Sequence, residues 1–345
     1  MQKTSEKQVY TQMDLARLAG VSHRTVHRAL TSHAEVSEGT RQRVMELARK
    51  LGYRPNVAAQ AMRQGRFKSV ALVAADDRSR GHVPSDLFVG IDREVRDLGW
   101  RLSISSLPDE KWTDEQYVPQ ILKEWSADGM LIAYVHGMPE RVVKLIQGHS
   151  LPSVWMNVKL DEAAVYPDDL GGGRMATEHL LRLGHQRVWF YSNHQLAHYS
   201  VADRAEGYRQ VMREAGLEPR VVGEPGTVYR EAGCVDVARG ILSGAERPSA
   251  LVCYDRQEAV TAYVAAGQLG IKVPEDLSIM SFGVQFPRVS VGLPIAICQV
   301  PFEEVGREAV RMLVGRIEDP EAVVKSKVLP FQVSEGWSCV KYQGN

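Results

Sequence analysis

The sequence contains few cysteines and no paired cysteine motif. Its 345 residues include four cysteines, all widely separated: Cys234, Cys253, Cys298 and Cys339. Single, scattered cysteines argue against a disulfide framework or a structural zinc site, and they favour reduced, mostly buried thiols. We therefore expect neither a metal nor a cofactor.

Long apolar runs are also missing. No apolar stretch approaches the roughly 18 residues that a membrane-spanning helix needs. The first residues, MQKTSEKQVYTQMD, lack the apolar segment of a secretory signal. These absences predict a soluble, cytoplasmic protein with no membrane partner.

The chain has no net charge, but its charges are unevenly distributed. Residues 1–66 contain 12 Lys or Arg and 5 Asp or Glu, whereas the whole chain contains 42 of each kind. The N-terminal segment is therefore basic and the remainder is acidic. Such asymmetry indicates a module for a polyanion joined to a second module, and the length predicts two or three domains.

Three short helices are predicted in the first 52 residues. Thr11 and Asp14 have the spacing of a capping box, and Gly20 suits the left-handed end of that helix. Ser22 can cap a second helix, and a third is expected over residues 37–51. Two helices joined by a glycine-containing turn and braced by a third are typical of helix-turn-helix proteins that bind DNA. A small amphipathic bundle with a solvated face is the alternative.

The predicted second helix carries basic side chains on its outer face: His23, Arg24, His27 and Arg28. In helix-turn-helix proteins this helix lies in the major groove, with its N-terminal residues at base edges. An arginine there can donate two hydrogen bonds to guanine. We therefore predict that these four residues read bases.

Residues 53–67 are predicted to form a hinge helix that orders on DNA. Pro55 suits the first position of a helix, and residues 58–62 favour helix formation. So short a helix is unstable alone in water and needs a partner to pack against. Because arginines flank it, we expect that partner to be DNA, with Met62 inserted between base steps of the minor groove.

Three segments carry a resemblance to a known family. MDLARLAGVSHRTVHRAL, VSEGTRQRVMELARKLGYRPN and GRMATEHLLRLGHQRV resemble the LacI/GalR family of bacterial transcription regulators, over about residues 10–337. The resemblance implies base reading by His23, Arg24 and Arg28. His27 stands where the family usually has serine, so we expect an atypical operator. Backbone and hinge contacts are predicted for Thr11, Ser22, Thr25, Arg41, Tyr53, Asn56 and Met62.

From residue 68 onward, short apolar runs alternate with helical patterns, which predicts parallel α/β units. The predicted strands include SVALVAA, RLSISS, GMLIAY and PSVWM, followed by RVWFY, ALVCY and LSIMSF. Two doubly wound sheets side by side leave a cleft at the carboxyl ends of their strands. By resemblance, this is an α/β fold of the periplasmic-binding-protein-like type.

We therefore predict three parts of the chain. Residues 1–52 form the helix-turn-helix domain, of which 1–9 are expected to be flexible, and residues 53–67 form the hinge. Residues 68–340 form an effector-binding and dimerisation core. Its lobe 1 is expected at about 68–166 and 295–322, and its lobe 2 at about 167–294 and 323–340.

Polar residues at predicted strand ends are candidates for binding an effector. Arg204 matches the family's ligand-contacting arginine, and a guanidinium can bind vicinal hydroxyls or a carboxylate at two points. Asp255 matches the acidic residue of the family's AND motif, in which Tyr254 replaces asparagine. Asn157 and Asp76 follow two other predicted strands. For each of these polar residues, a role as a helix cap or turn former is the alternative.

The segment SFGVQF departs from the family pattern. Sugar-responsive members usually carry an acidic pair where Gly283 and Val284 stand, so a pentose or hexose held in the usual manner is not expected. The loop at 189–199 is rich in aromatic and imidazole groups, which either stack on a sugar or base or only pack the mouth of the cleft. A sugar or sugar derivative stays among the candidate effectors.

Taken together, these patterns predict a homodimeric, nucleoid-associated transcriptional regulator, expected to be a repressor, whose affinity for a near-palindromic operator depends on a small molecule. No heptad repeat follows the core, which argues against a coiled-coil tetramer. The sequence has no recognisable nucleophile or metal motif, so we do not expect an enzyme. The alternatives are a solute-binding protein without a DNA role and a sugar-metabolising enzyme.

Overall fold

The computed structural model describes residues 10–31, 36–56, 61, 65–75, 83–107, 116–124, 126–133, 140–149, 151–193, 198–223, 234–284, 295–334 and 336–343. Two compact units, residues 1–67 and 68–345, make up the chain. The residues predicted to be flexible, 1–9, lie outside the described part. None of the described helices is long and apolar enough to cross a membrane.

The N-terminal unit contains helices α1 (Gln12–Ala19), α2 (His23–Thr31) and α3 (Glu38–Leu51). The predicted capping box is confirmed, since Thr11 Oγ1 accepts a hydrogen bond from the Asp14 amide and Asp14 accepts one from the Thr11 amide. Gly20 has φ 65° and ends α1 in the left-handed region, as predicted. A small apolar cluster holds the three helices together: Leu15, Ala16, Ala19, Val26, Ala29, Val44 and Ala48.

The second unit consists of two six-stranded sheets covered by helices. Its strands are β1 (Ser69–Ala75), β2 (Arg101–Leu107), β3 (Gly129–Ala133), β4 (Ser153–Met156), β5 (Ala164–Pro167), β6 (Val188–Tyr191), β7 (Arg220–Val222), β8 (Ala250–Cys253), β9 (Ser278–Gly283), β10 (Ala296–Gln299), β11 (Lys327–Leu329) and β12 (Gln332–Ser334). Its helices are α4 (Ser85–Asp97), α5 (Gln120–Lys123), α6 (Glu140–Gly148), α7 (Asp169–Arg182), α8 (Tyr199–Glu214), α9 (Cys234–Ser243), α10 (Arg256–Gln268) and α11 (Phe302–Glu318).

The strand order is β11-β5-β4-β3-β1-β2 in lobe 1 and β12-β10-β9-β8-β6-β7 in lobe 2. All neighbouring strands are parallel except β10 and β12. Helices cover the sheets, so β1, β3 and β8 are apolar along nearly their whole length. The predicted two-lobed α/β fold with an N-terminal helix-turn-helix unit is confirmed.

The chain crosses between the lobes at 167–169, 300–302 and 329–332. The predicted lobe boundaries at 295 and 323 are therefore wrong by one strand each. β10 pairs with β9 and belongs to lobe 2, whereas β11 pairs with β5 and belongs to lobe 1. Both strands are short, so their hydrogen-bond partners, rather than their own sequence pattern, decide which sheet they join.

Each lobe contains one pair of helices that approach closely at glycines. In lobe 1, a Cβ on Gly90 would lie 2.0 Å from the Glu303 carbonyl oxygen; in lobe 2, a Cβ on Gly173 would lie 2.1 Å from the Arg204 carbonyl oxygen. Only glycine permits such close backbone contact. The second pair, α7 and α8, positions the polar residues at the cleft edge of lobe 2.

Candidate DNA-binding face and effector cleft

Helix α2 presents one apolar and one basic face. Val26 and Ala29 are buried in the small core, and the Ser22 hydroxyl accepts a hydrogen bond from the Thr25 amide at the start of the helix. This cap satisfies a backbone donor that helix geometry leaves unpaired. The basic side chains therefore project from a helix that is fixed at its N-terminal end.

The four predicted base-reading residues differ in exposure. His23 and Arg24 are exposed, whereas His27 and Arg28 are half-buried. The Nδ1 atom of His27 is buried and has no hydrogen-bond partner among the described residues. The N-terminal end of α2 thus offers the more accessible part of this face.

The predicted backbone and hinge contacts lie around the same unit. Thr11 and Ser22 are exposed helix caps, Thr25 is half-buried, and Arg41 pairs with Glu38 on α3 at 3.1 Å. The remaining predictions are placed as follows: Tyr53 packs against the small core, Asn56 is exposed, and Met62 lies outside the described residues.

In the second unit, Arg204 lies at the centre of a buried polar cluster on α8. It is 6% exposed. Its Nε donates to Asp169 Oδ1 at 2.7 Å, and its Nη1 donates to the Tyr254 carbonyl oxygen at 3.1 Å. Burial lowers the pKa of the guanidinium, but the charge of Asp169, the Tyr254 group and the hydrogen bond to Asp169 together raise the pKa above its ordinary value. Arg204 therefore stays charged.

Aromatic rings surround the same guanidinium. The Arg204 carbon Cζ lies 4.8 Å from the ring centre of Tyr254, 4.7 Å from that of Phe282 and 5.5 Å from that of Phe331. Cation–π contacts of this kind stabilise a cation that is buried away from water. The cluster holds Arg204 in one orientation at the carboxyl ends of β8 and β9.

Asp255 is a helix cap, the alternative role that the sequence left open. Its Oδ1 accepts hydrogen bonds from the backbone amides of Gln257 at 2.6 Å and Glu258 at 3.1 Å. Capping uses one carboxylate oxygen for both bonds. Because a cap at this strand end can also contact a ligand, the geometry is compatible with both roles.

Tyr254 is buried, and its hydroxyl lies 2.8 Å from Ser200 Oγ. Its ring covers Arg204 from one side while its carbonyl oxygen binds the guanidinium. The residue that replaces the family's asparagine therefore shapes the wall of the cleft in lobe 2.

Asn157 follows β4 in lobe 1 and faces lobe 2. It is 8% exposed and has φ 58°, the left-handed region that asparagine tolerates better than most residues. Its carbonyl oxygen lies 3.2 Å from His198 Nε2, and its Oδ1 accepts a 3.4 Å bond from Tyr199. The fifth predicted effector residue, Asp76, lies outside the described residues.

Glu258, near the start of α10, is a buried carboxyl group that the sequence reasoning missed. Its Oε1 accepts a 3.0 Å hydrogen bond from the backbone N–H of Asn193. Burial, and then the neighbouring Asp255, raise the pKa of Glu258 to about 9. The Glu258 carboxyl group is therefore neutral at pH 7, which lets it lie buried beside Asp255.

Other missed residues of this cluster are Asp169, His198, Ser200, Phe282 and Phe331. His198 belongs to the loop 189–199, which is rich in aromatic and imidazole groups, and Asp169 begins α7. Asp169 is 35 residues from Arg204 in the chain, His198 is 41 residues from Asn157, and Phe282 and Phe331 are still further from Arg204, so only the fold brings these residues together. The acidic pair Asp168-Asp169 is the sequence signal that could have pointed to Asp169.

His185, the four cysteines and the remaining potential metal ligands are the other candidates for chemistry. His185 is buried and lies 3.1 Å from Ser249 Oγ and 2.9 Å from Ser278 Oγ, a structural role. The four cysteines form no disulfide. Within the described ranges, no group of three or more side chains could hold a metal ion.

Two family profiles match the chain. That of the bacterial regulatory proteins of the lacI family matches residues 11–56, and that of the periplasmic binding protein-like domain matches residues 177–339. The chain is 27% identical to the ribose operon repressor of Haemophilus influenzae over 92% of its length and 95% of the relative. It is 29% identical to the HTH-type transcriptional regulator DegA of Bacillus subtilis, over 92% of this chain and 94% of that relative.

Among solved structures, the lac repressor dimer bound to operator and the anti-inducer ONPF superposes with a TM-score of 0.73. The alignment covers 96% of this chain and 100% of that chain at 19% sequence identity. The similarity extends to the whole fold, from the three-helix unit to both lobes.

Proposed function

Because the chain belongs to the LacI family of bacterial regulatory proteins, we propose that α2 reads an operator and that the cleft between the lobes binds the controlling small molecule. The chain is a DNA-binding transcriptional regulator with an effector-binding core. What is proposed here is which residues perform each task.

The observation that carries the DNA-binding proposal is the exposed basic N-terminal end of α2, mounted on a capped and packed three-helix unit. Arg24 and His23 contact base edges, and Arg28 and His27 contact bases further along the helix. Phosphate contacts are assigned to residues that lie on helix caps, on α3 and after it: Thr11, Ser22, Thr25, Arg41, Tyr53 and Asn56. Base contacts specify the site and phosphate contacts position the helix.

We propose a homodimer that binds two half-sites of a near-palindromic operator. The lac repressor, whose fold the chain shares, binds its operator as a dimer. Residues 53–67 act as the hinge, and Met62 inserts into the minor groove. In this arrangement the protein acts as a repressor on the bacterial nucleoid, in the cytoplasm.

The effector is proposed to contact Arg204, Tyr254, Asp255 and Asn157, with Asp76 from lobe 1. Asn157 follows the carboxyl end of β4, and Tyr254 and Asp255 follow that of β8, where the Arg204 guanidinium of α8 contacts the Tyr254 carbonyl oxygen. Ligands bind at such strand ends in open α/β sheets. The ribose operon repressor is a relative, yet Gly283 and Val284 lack the carboxylates that would bind sugar hydroxyls. A small molecule, either a sugar derivative or another polar compound, is therefore proposed, bound without turnover.

The proposal is tested with the full chain in two steps. A thermal-shift screen of sugars, nucleosides and small acids identifies a ligand, because binding to the folded state raises the midpoint of unfolding. Fluorescence anisotropy then measures operator affinity with and without that ligand. A change in affinity of about fivefold or more supports the proposal, since coupling energies of this size are common in regulators.

Two variants separate the two tasks in the same assay. Arg204→Ala is expected to remove the response to the ligand, and to leave operator binding intact at a temperature at which thermal unfolding shows that the variant is folded, because the substitution leaves the buried Asp169 without its partner. Met62→Gly is expected to weaken binding to the operator more than binding to a random duplex. A normal ligand response in Arg204→Ala, or equal losses for both duplexes in Met62→Gly, contradicts the corresponding assignment.

A further inference from the structure

A cavity of about 610 Å³ lies at the amino ends of three strands of lobe 2. Arg187 and Ser249 directly precede β6 and β8, and Asp276 lies two residues before β9, which neighbours β8 in the sheet. The loops that carry these residues enclose the cavity together with the C-terminal segment at 340–343. We name it the basal pocket and define it by six of its lining residues: Arg187, Arg247, Ser249, Asp276, Lys341 and Tyr342.

The basal pocket is separate from the proposed effector cleft. The effector candidates Tyr254 and Asp255 follow the carboxyl end of β8, whereas Ser249 precedes its amino end. A strand rises about 3.3 Å per residue, so Ser249 and Tyr254 lie about 16 Å apart along the strand. A small molecule bound at one end of the sheet therefore does not occupy the other.

Two arginines of the basal pocket are held in place without being neutralised. Arg187 Nε donates to the carbonyl oxygen of Arg247 at 3.3 Å, and Arg247 Nη1 donates to that of Asp276 at 3.4 Å. A carbonyl oxygen orients a guanidinium but carries no net charge. Among the described residues, neither arginine side chain forms an ion pair, whereas Arg174 of the same lobe pairs with Glu214. Both guanidiniums therefore keep N–H donors for a further acceptor.

The carboxylates that line the basal pocket do not offset these charges. Glu275 is exposed, and Asp276 Oδ2 accepts a 2.9 Å hydrogen bond from the backbone N–H of Lys272. Within the part of the chain that the structure describes, neither carboxylate forms an ion pair with a basic residue of the pocket. Lys341 adds a third, exposed basic group. Three cations thus face two anions in one cavity, and a bound anion would lower the repulsion between them.

His185 fixes the segments that carry these groups. Its Nδ1 lies 3.1 Å from Ser249 Oγ, and its Nε2 lies 2.9 Å from Ser278 Oγ and 3.2 Å from the Val340 carbonyl oxygen. Its ring centre also lies 5.3 Å from that of Tyr342. The C-terminal segment is thereby attached to the amino ends of β8 and β9, so the basal pocket is formed without a ligand.

The donors and the size of the basal pocket favour a phosphate group. A guanidinium donates two parallel hydrogen bonds to phosphate or carboxylate oxygens. Two guanidiniums and a lysine suit a phosphate monoester better than a carboxylate, because the monoester has three terminal oxygens and a charge of about −1.5 to −2 at pH 7. The cavity volume lies within the range of about 300–1,000 Å³ that is typical of sites for small molecules.

We propose that the basal pocket is an anion-binding site for a ligand that carries a phosphate group, which is bound between Arg187 and Arg247, with Lys341 as the third basic group. Inorganic phosphate and a small phosphate monoester share this chemistry. The site is additional to the effector cleft, and it does not depend on the operator or effector assignments. Lobe 2 then binds small molecules at both ends of its sheet.

The test is protection of arginines in the full chain from phenylglyoxal, followed by peptide mass spectrometry. The probes are inorganic phosphate and phenyl phosphate, and sodium chloride at the same ionic strength is the control solution. Arg182 is the internal control, because it is exposed on α7 and does not line the basal pocket. The readout is specific to each peptide, so phosphate that binds to the basic N-terminal unit does not affect it.

Modification of Arg187, divided by that of Arg182, is expected to fall by the factor 1 + [L]/Kd, which is about fivefold at four times the dissociation constant. Arg247 should be protected over the same range of concentration, because one phosphate group contacts both arginines. If phenyl phosphate protects at the lower concentration, the ligand is an ester; if inorganic phosphate does, the ligand is the free ion. No protection by either probe beyond that by sodium chloride overturns the proposal.

A substitution shows whether the two arginines bind the same ligand. In Arg187→Gln, half-protection of Arg247 should require about tenfold more probe or greater, since a hydrogen-bonded charge is lost. Arg213→Gln, on the exposed surface of α8, is the matched control and should leave this concentration unchanged. Thermal unfolding confirms that each variant is folded. Unchanged protection of Arg247 in Arg187→Gln overturns the shared site.

Discussion

Arginine has opposite surroundings in the two units of this protein. Arg24 of the N-terminal unit is exposed on α2, above a core of a few small apolar residues. Arg204 of the two-lobed unit is buried, paired with Asp169 and enclosed by aromatic rings. An exposed cation on a rigid helix is available to a polyanion, whereas a buried, paired cation fixes the geometry of a cleft. The comparison therefore matches the two proposed tasks, recognition of DNA by the first unit and control of that recognition by the second.

The largest expected effect is loss of stability when the buried cation is removed. Arg204→Leu leaves the Asp169 carboxylate buried without a partner, which should lower the free energy of unfolding by about 3–5 kcal/mol. Urea unfolding measures this loss. The matched control is Arg174→Leu, which breaks the solvent-exposed pair with Glu214 on the same two helices and should cost far less. Equal losses would mean that burial does not distinguish the two pairs.

A smaller effect is expected at the exposed arginine, and it concerns specificity rather than stability. Arg24→Ala should remove about 1–3 kcal/mol of discrimination at one base position in each half-site, and leave the midpoint of unfolding unchanged. Competition binding with single-base operator variants measures the discrimination. Arg17→Ala, on the exposed face of α1, is the control. For this variant, affinity is expected to change by the same factor for every operator variant. A uniform loss in Arg24→Ala would place this side chain on phosphates instead.

Because of Glu258, the stability of the two-lobed unit is expected to depend on pH. In the unfolded chain this carboxyl group ionises at its ordinary pKa of 4.5, but in the folded chain its pKa is about 9. The folded state therefore binds more protons between these values, and its contribution to stability is lost as the pH rises. In Glu258→Gln this dependence should disappear, with a gain of more than about 1 kcal/mol over the unmodified chain at pH 8. If the free energy of unfolding changes by the same amount between pH 5 and 8 in both proteins, Glu258 is not neutral in the folded chain.

The smallest expected effect concerns the scaffold of the DNA-binding face. Thr11→Ala removes the N-cap of α1 and should destabilise the N-terminal unit by about 1 kcal/mol. Hydrogen exchange of α1 measures this loss separately from the two-lobed unit. Thr11→Ser keeps the hydroxyl and is the control; if it loses as much protection as Thr11→Ala, the cap is not the cause.

Local features of this fold were predictable from sequence because their causes are local. The capping box at Thr11, the left-handed Gly20 and the apolar strand SVALVAA each depend on neighbouring residues alone, and the structure confirms all three. The predicted assignment to lobes was wrong for residues 295–299 and 323–329. These short strands join the sheet that offers them a hydrogen-bonding edge, which no local pattern encodes.

The candidate site was predictable only in part for the same reason. The exposed face of α2 follows from helix periodicity, so Arg24 could be selected directly. The environment of Arg204 depends on Asp169 and on rings from other strands, and the position of His198 depends on a carbonyl group of the other lobe. Contacts between distant segments require the fold, so the sequence alone could not place these side chains.

The central claim, that the exposed end of α2 reads a specific DNA sequence, is tested most directly by selection from randomised double-stranded oligonucleotides with the full chain. The account predicts enrichment of a near-palindromic site whose two halves are one helical turn apart, centre to centre. It also predicts that Arg24→Ala changes the preferred base at one position in each half. Recovery of no preferred sequence, at any salt concentration and with or without the ligand found by thermal shift, would contradict the account.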